Sequence, residues 1–150
     1  ALTISLELSG LAAGAATAGC CAQMIGFAAM SYRENGWAGL LGIGLGTSML
    51  QLPNIVKNPF IWLPPTLAAA ILGPIATMGF GLRNVPAGAG MGTAGLVGQV
   101  GTIEAMGNST DVLLAIGLVQ FILPALLALI FMHILMKLNL IKQGDLTLPK

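Results

Sequence analysis

Charged residues are scarce in this sequence. Six of its 150 residues are Lys or Arg and five are Asp or Glu, which together make up 7% of the chain. A soluble domain carries charge on roughly a quarter of its residues. The scarcity therefore excludes a soluble globular protein, because too few charged groups remain to cover its surface.

Cysteine and histidine are also nearly absent. Cys20 and Cys21 are adjacent, which excludes a disulfide framework and the ligand spacing of a metal site, and favours two small buried side chains. His133, the single histidine, falls one turn from the end of the last apolar run, a position typical of a helix end rather than a proton relay. We expect no metal and no cofactor. The sequence shows no self-contained catalytic centre.

Long uncharged runs separate the few charges. They cover residues 8–32, 35–56, 58–82, 84–103 and 112–136. Each run is close to the roughly 20 apolar residues that cross a hydrocarbon core. The runs are continuous and do not alternate with a period of two, which excludes an outer-membrane barrel. The sequence predicts an all-α, polytopic integral membrane protein.

Three runs predict firm transmembrane helices. Residues 111–137 are rich in Leu, Ile and Phe, and residues 59–80 begin with a proline in the first turn, where its missing N–H costs nothing. Residues 9–30 are small, and Gly10, Gly14 and Ala18 form a face that permits close helix contact. Kinks or interruptions are expected at Pro64, Pro65, Pro74 and Pro124.

Glycine is abundant and marks an internal repeat. The pattern GIGLGTSML at residues 42–50 recurs as GAGMGTAGL at residues 88–96, with three glycines, the threonine and the final leucine in place. A straight lipid-facing helix would lose about 1 kcal/mol per Gly relative to Ala. Such backbone is tolerated at membrane depth where protein encloses it. Residues 36–56 and 84–103 are therefore predicted to be re-entrant or broken-helix segments, with five full spans as the alternative.

The ends of these segments are marked by Pro53 and Asn54 in the first copy and by Asn84 and Pro86 in the second. One span separates the copies, so re-entrant segments would enter from opposite faces as an inverted repeat. In that arrangement Arg83 is the only basic residue on its side of the membrane and the other five lie on the opposite side. With five full spans, Lys57 would be the single basic residue on its side instead. Both arrangements place the C-terminal tail in the cytoplasm and the N-terminus outside.

The chain is predicted to form one membrane domain over residues 1–150. Its repeat units cover about 9–57 and 58–107, the last span covers 111–137, and a cytoplasmic tail covers 138–150. Residues 1–10 lack the basic region of a secretory signal, and the chain begins at Ala1. We therefore expect a fragment or a processed chain.

Glu104 is the only acidic residue between the second repeat and the last span. Intramembrane carboxylates are usually functional, although an interfacial one is simply solvated. Uncharged amides nearby suit a neutral polyol, and each can equally satisfy broken backbone. The predicted substrate-binding residues are Glu104, Gln99, Asn54, Asn58, Asn84, Thr47, Thr93, Gly90 and Gly92.

Ordered blocks between residues 36 and 100 resemble a known family. They are GTSMLQLPN at 46–54, KNP at 57–59, WLPPTLA at 62–68, LGPI at 72–75, PAGAGMGT at 86–93 and GLVGQ at 95–99. The chain resembles phosphotransferase-system enzyme IIC membrane proteins of the perfringolysin-regulator-like group. The resemblance implies a bacterial cytoplasmic (inner) membrane protein and places these blocks in the later part of a chain about twice this length.

Better-known sugar-transporting IIC proteins hold the sugar between re-entrant hairpins, one of which carries a GITEP motif. The nearest segment here is GTIEA at residues 101–105, which has two letters exchanged and Ala in place of Pro. Glu104 is the residue of this segment that corresponds to the glutamate of the motif, in a segment that departs from the motif at three of its five letters.

The resemblance implies a permease component of a sugar phosphotransferase system, which binds and translocates a sugar for phosphorylation by separate cytoplasmic subunits. Its expected partners are a small-molecule sugar, the cytoplasmic IIA and IIB subunits, the lipid bilayer and a second copy in a homodimer, with no nucleic acid. The alternative is a membrane sensor or regulator of gene expression without transport, because some members of the group are named as regulators of toxin expression. A bare channel is less favoured, since no filter sequence is evident.

Overall fold

The computed structural model describes residues 9–148, which form helices and turns. The α-helices of this part of the chain are α1 Gly10–Leu41, α2 Leu52–Lys57, α3 Leu63–Pro74, α4 Pro86–Ala89, α5 Val97–Met106, α6 Thr110–Ala115 and α7 Leu123–Lys137. Wider π-helical turns follow α1, α3 and α6 at Gly42–Gly46, Ile75–Gly79 and Ile116–Ile122. Tighter 3₁₀ turns lie at Ser48–Gln51, Pro59–Trp62 and Ala94–Leu96. The expectations for residues 1–8 and for Lys150 lie outside the described residues.

Three helical stretches are long and apolar enough to cross a membrane. They are Gly10–Gly46, Pro59–Gly79 and Thr110–Lys137. The described residues form no β-strand. The prediction of an all-α polytopic membrane protein with three firm spans is therefore confirmed.

Two internal prolines coincide with changes of helix type. Pro74 ends α3 where the chain widens into a π-helical turn, and Pro124 follows such a turn near the start of α7. Pro64 and Pro65 instead occupy the first turn of α3. The interruption expected at this pair is therefore not seen, because first-turn N–H groups have no intrahelical acceptor to lose.

Gly36 divides the first long stretch into two arms. Its backbone is non-helical, with φ 58° and ψ −148°, a conformation that glycine adopts without a Cβ clash. The chain reverses there, so that Gly44 packs against Ala28 and Ile25. Residues 37–46 thus run back along the preceding part of α1.

Residues 37–58 form a helical hairpin, called here the first hairpin. It descends along α1, turns at Thr47 and returns through α2. Asn35, just before it, donates to the carbonyl oxygen of Leu146 at 2.8 Å. Asn58, its last residue, donates to the carbonyl oxygen of Leu140 at 3.0 Å. The start and the end of the first hairpin therefore lie together, at the end of the molecule where residues 138–148 pack. We call this end the tail end.

Residues 84–106 form the second hairpin, which has its base at the other end. Asn84 exchanges two backbone hydrogen bonds with Gly10, of 3.0 and 3.1 Å. The N–H of Arg83 donates to Met106 Sδ at 3.1 Å, which closes this base. We call this the bridge end, after the Gly10–Asn84 backbone pair. The two glycine-rich repeats therefore turn back from opposite ends of the same bundle.

Small residues let the segment that leads into the second hairpin approach α1 closely. A Cβ at Gly14 would overlap the carbonyl group of Leu82, and Ala18 is fully buried beside it. The predicted small-residue face on the first span is therefore a real contact surface. It holds the base of the second hairpin against α1.

The C-terminal segment packs into the tail end. Ile141 and Leu146 are buried in one cluster with Phe27, Ile43 and Ile61. The described part of the predicted tail is thus anchored to both α1 and the first hairpin. Large apolar side chains remain exposed along the outer faces of all three long stretches, as expected of surfaces that meet lipid.

Candidate functional site

The tips of the two hairpins meet beside the middle of α1. Thr93, at the second tip, is fully buried, and its hydroxyl donates to the carbonyl oxygen of Gly44 in the first hairpin. Gly92 has φ +56° and lies so close to α1 that a Cβ would be 2.8 Å from the carbonyl carbon of Cys20. Glycine is required there for conformation and for space. The repeat thus places equivalent segments in direct contact.

A pocket of about 460 Å³ lies between the tips and α1, and we call it the tip pocket. This volume falls within the range of roughly 300–1,000 Å³ that is usual for small-molecule sites. It is lined by Cys20, Gln23 and Met24 of α1, by Gly46, Thr47 and Ser48 of the first hairpin, and by Gly90, Met91 and Ala94 of the second. Both copies of the repeat therefore contribute to its wall.

The tip pocket is uncharged, and a few polar groups stand among a mostly apolar lining. The hydroxyls of Thr47 and Ser48 and the amide of Gln23 are its polar side chains, and no charged side chain lines it among the described residues. A buried charged ligand would lack a counter-ion here, at a large cost in free energy. Hydroxyls, an amide and accessible glycine backbone instead match a neutral ligand with many hydrogen-bonding groups.

The amide of Gln23 is held in position at the edge of this pocket. Its Nε2 donates to Thr66 Oγ1 at 3.0 Å, and Thr66 Oγ1 itself donates to the carbonyl oxygen of Trp62 at 2.7 Å. These bonds connect α1 to the start of α3. A fixed amide loses less conformational entropy on binding a ligand than a free one.

The predicted site residues fall into three groups. Thr47 and Gly90 line the tip pocket, and Thr93 and Gly92 form the tip contact behind its wall. The amides predicted as ligands, Asn54, Asn58, Asn84 and Gln99, lie away from the pocket, at the hairpin arms. Glu104 forms the third group, alone near the base of the second hairpin.

Asn84 and Gln99 belong to a buried polar network at the second hairpin. Asn84 Nδ2 donates to Thr17 Oγ1 at 2.6 Å and to Thr102 Oγ1 at 3.3 Å. Gln99 Nε2 donates to Gln120 Oε1 at 2.8 Å, and Gln120 Nε2 donates to Thr102 Oγ1 at 3.1 Å. The network ties the hairpin to α1 and to the third long stretch. Gln99 Oε1 is the buried side-chain oxygen of the described residues that has no hydrogen-bond partner. The ligand role of both amides stays a prediction, beside their role in holding the hairpin.

Asn54 and Asn58 perform the same task for the first hairpin at the tail end. Asn54 Nδ2 donates to the carbonyl oxygen of Thr147 at 3.0 Å, and Asn58 Nδ2 donates to Asp145 Oδ2 at 2.7 Å. Glu34 completes the anchor, because its carboxylate accepts from the N–H groups of Gly144 and Leu146 at 2.8 and 3.0 Å. The C-terminal segment therefore links α1 to the returning arm of the first hairpin.

Glu104 lies on α5 with its side chain exposed, and it does not line the tip pocket. It comes eight residues after Leu96, the end of the turn beside the tip, which is about 12 Å along a helix at 1.5 Å per residue. Its ligand role stays a prediction. The position lies toward the bridge end, two residues before the close of the second hairpin.

Sequence reasoning missed several pocket residues. Gln23 is the only amide in the uncharged run 8–32, and an isolated amide within an apolar helix is a signal that could have been used. Ser48 directly follows the repeated threonine, and the second copy has Ala94 at the equivalent position. This difference between the copies is a second signal that could have been used. Cys20 and Met24 carry no such signal and are found only from the packing of the tips.

The described residues thus form a polytopic membrane protein whose two helical hairpins turn back from opposite ends of the bundle and meet at their tips, an arrangement typical of inverted repeats. A family model described as phosphotransferase system, EIIC, matches residues 1–148. The chain belongs to this family, and it is a permease-type membrane component of a phosphotransferase system. No curated protein and no solved structure matches the chain significantly.

Proposed function

We propose that this chain binds a sugar in the tip pocket and translocates it for phosphorylation by separate cytoplasmic IIA and IIB subunits. The observation that carries the proposal is the tip pocket itself, which both glycine-rich repeats build and which presents hydroxyl, amide and backbone groups without charge. A sugar is neutral and carries donors and acceptors on every side. Membership of the EIIC family supports the same substrate class.

Binding uses Thr47, Ser48 and Gln23 as side-chain partners and the backbone at Gly46 and Gly90 as a close-fitting wall. Without a Cβ, these glycines let backbone N–H and carbonyl groups reach the sugar hydroxyls directly. Each neutral hydrogen bond contributes about 0.5–1.5 kcal/mol net, so several together are needed for specific binding.

The opposed hairpins support the proposal of translocation. The two hairpins have their bases at opposite ends of the bundle, and the Thr93 hydroxyl, which donates to the Gly44 carbonyl oxygen, joins their tips. Movement of one hairpin relative to the other would open the pocket to one side at a time. Rocking of one repeat against the other around a fixed central site is the general mode of transporters built from inverted repeats.

In this proposal the hairpins are re-entrant and the tail end faces the cytoplasm of a bacterium. Arg33 lies just before the first hairpin and Lys57 near its end, both at the tail end. The end of α7 adds Lys137 there and the described tail adds Lys142, whereas Arg83 lies at the bridge end. Basic residues near span ends accumulate on the cytoplasmic side. Their distribution supports a cytoplasmic tail.

Cysteine labelling tests this placement. In the full-length protein with Cys20→Ser and Cys21→Ala, a membrane-impermeant thiol reagent should reach Lys57→Cys from the cytoplasmic side only and Arg83→Cys from the outer side only. Five full spans would place positions 57 and 142 on opposite sides of the membrane. Finding Lys57→Cys and Lys142→Cys on opposite sides would therefore refute the re-entrant first hairpin.

The native thiol of Cys20 gives a direct test of sugar binding, because Cys20 lines the tip pocket whereas Cys21 is buried. The rate at which a small methanethiosulfonate reagent modifies Cys20 should fall when the correct sugar is present, in full-length protein carrying Cys21→Ala. Cys20→Ser supplies the background rate. If none of a broad panel of sugars protects Cys20, the binding proposal fails.

Uptake separates transport from sensing. Vesicles containing the full-length protein and its IIA and IIB partners should accumulate the protecting sugar in phosphorylated form. Protection of Cys20 without uptake or phosphorylation would support the sensor interpretation of the same pocket.

A further inference from the structure

A second hollow lies directly beside the tip pocket. Its volume is about 310 Å³. It is lined by Gln23, Phe27, Ser48, Met49, Leu52, Ile55 and Trp62, and we call it the apolar hollow. Gln23 and Ser48 also line the tip pocket, so the two spaces are neighbouring parts of one groove between α1 and the first hairpin.

The two parts of the groove differ in chemistry. The tip pocket adds hydroxyl, amide and glycine surfaces to its apolar side chains, whereas the apolar hollow is walled almost wholly by aliphatic and aromatic side chains. Phe27 forms its buried floor, and the ring of Trp62 stands half exposed at its rim. No charged side chain lines the hollow among the described residues.

The junction between the two parts is polar. Gln23 is held there by its hydrogen bond to Thr66. Ser48, like Gln23, lines both the tip pocket and the apolar hollow. Gln23 Nε2 already has Thr66 as its partner, but an acyl chain lying along the whole groove would offer no hydrogen bond to Gln23 Oε1 or to the Ser48 hydroxyl, which is unfavourable. A ligand with oxygen atoms at this point and an apolar part beyond it would satisfy both sides.

We propose that the substrate is a glycoside with an apolar aglycone, aromatic or short-chain. The sugar ring lies in the tip pocket, the glycosidic oxygen lies at Gln23 and Ser48, and the aglycone fills the apolar hollow against Phe27 and Trp62. This inference rests on the proposed sugar site. It narrows the substrate class from sugars in general to sugars carrying a hydrophobic substituent.

The affinity difference expected from the aglycone is measurable. A phenyl group enclosed by Phe27, Ile55 and Trp62 removes on the order of 100 Å² of apolar surface from water. Incomplete enclosure at the open rim reduces the gain, so a phenyl glycoside should bind about ten to thirty times more tightly than the methyl glycoside of the same sugar.

Protection of Cys20 in the full-length protein tests this inference. The Cys21→Ala protein, in nanodiscs of phosphatidylethanolamine and phosphatidylglycerol, would be titrated with free hexoses, their methyl glycosides and their phenyl glycosides. The concentration that half-protects Cys20 from methanethiosulfonate should be about ten times lower, or lower still, for the phenyl glycoside of the recognised sugar than for its methyl glycoside. Equal concentrations for methyl and phenyl glycosides would overturn the inference while leaving sugar binding intact. Protection by no sugar or glycoside would overturn both.

Two tryptophan variants make the test specific. Trp62→Ala should abolish most of the phenyl preference and leave protection by the methyl glycoside within about twofold, which also reports that the protein is folded. Trp37→Ala is the matched control, because Trp37 is 67% exposed and lines neither part of the groove. A phenyl preference that survives both Trp62→Ala and Phe27→Leu would overturn the inference. Full protection of Cys20 by phenol alone would also overturn it, since it would show an apolar site independent of the sugar.

Discussion

The two hairpins carry the same nine-residue pattern but use it differently. In the first hairpin Thr47 is exposed at the tip pocket, and its hydroxyl accepts only from the N–H of Met49 at 3.2 Å. In the second hairpin the equivalent Thr93 is fully buried, and its hydroxyl donates to the Gly44 carbonyl of the first. One copy therefore offers its threonine to the pocket, whereas the other joins the two tips.

The glycines show the same division. A Cβ at Gly92 would meet the backbone of α1 at 2.8 Å, whereas the equivalent Gly46 has no heavy atom within 4 Å of such a Cβ. Gly46 borders open space in the pocket, whereas Gly92 packs directly against the backbone of α1. The two copies also differ in backbone conformation, since Thr47 is extended at φ −156° and ψ 137° whereas Thr93 has φ −89° and ψ 2°. The Gly-Thr pair of the first copy therefore faces the pocket, whereas that of the second packs against α1 and the first hairpin.

The arms of the hairpins are also anchored differently. The second is held by side chains within the bundle, among them Asn84, Thr102 and Gln120. The first is held by the C-terminal segment through Asn54 and Asn58. The second hairpin is therefore the more internally fixed of the two, and substitutions in it should cost more stability.

The largest effect is expected from Gly92→Val. Strain at φ +56° and overlap with the α1 backbone should together destabilise the protein by on the order of 3 kcal/mol or more. Full-length Gly92→Val should yield little monodisperse protein after detergent extraction. Gly46→Ala, its matched control at the equivalent position, should extract and melt like the parent. Similar behaviour of the two variants would remove the distinction between the tips.

Asn84→Ala should have the next largest effect. The substitution removes the donor to Thr17 and Thr102 and the acceptor for the Val85 N–H, all of them inside the bundle. Leaving buried polar groups unpaired costs about 1–3 kcal/mol, so thermal unfolding of full-length protein should shift down by several degrees. Asn58→Ala should cost less, because Asn58 is only partly buried and water can replace it. A larger loss for Asn58→Ala would mean that the tail anchor is the stronger one.

Thr93→Val and Thr47→Val should separate stability from binding. Thr93→Val removes the hydroxyl that donates from the second tip to the Gly44 carbonyl oxygen. The free energy of unfolding should therefore fall by about 1 kcal/mol. Thr47→Val should leave the melting temperature close to that of the parent but weaken sugar protection of Cys20 about threefold to tenfold. If Thr93→Val alone impaired binding, the second tip would be the ligand surface.

The sequence predicted the parts of this fold that bilayer thickness and backbone sterics determine. Residues 59–80 and 111–137 are apolar over the length of a hydrocarbon core, and the structure has helical stretches there that are long and apolar enough to cross a membrane. Gly14 and Ala18 lie on the close contact face that their spacing predicted. The repeat placed Thr47 and Gly90 where both line one pocket.

The amide partners could not be predicted in the same way. Asn54 and Asn58 bind backbone and side chains of the C-terminal segment, more than 80 residues away along the chain. Such pairings have no periodicity, and an asparagine that holds a segment has the same sequence appearance as one that holds a ligand. Gln23 is the opposite case, because it was not predicted from the sequence as a ligand and the structure places it at the edge of the tip pocket.

Glu104→Gln should have the smallest effect, and it tests how far the site extends along the second hairpin. The side chain is exposed on α5, outside the tip pocket and about 12 Å beyond the tip along the helix axis. Exchanging its carboxylate for an amide there changes no contact of the pocket wall. Sugar protection of Cys20 should therefore stay within about twofold, and the melting temperature should be unchanged. A charged acceptor that bound the sugar would contribute about 1.5–3 kcal/mol, so a loss of roughly tenfold to a hundredfold would instead place Glu104 in the site. That result would extend the ligand surface of the second hairpin from its tip to its base and make the two hairpins more alike in function than their tips are.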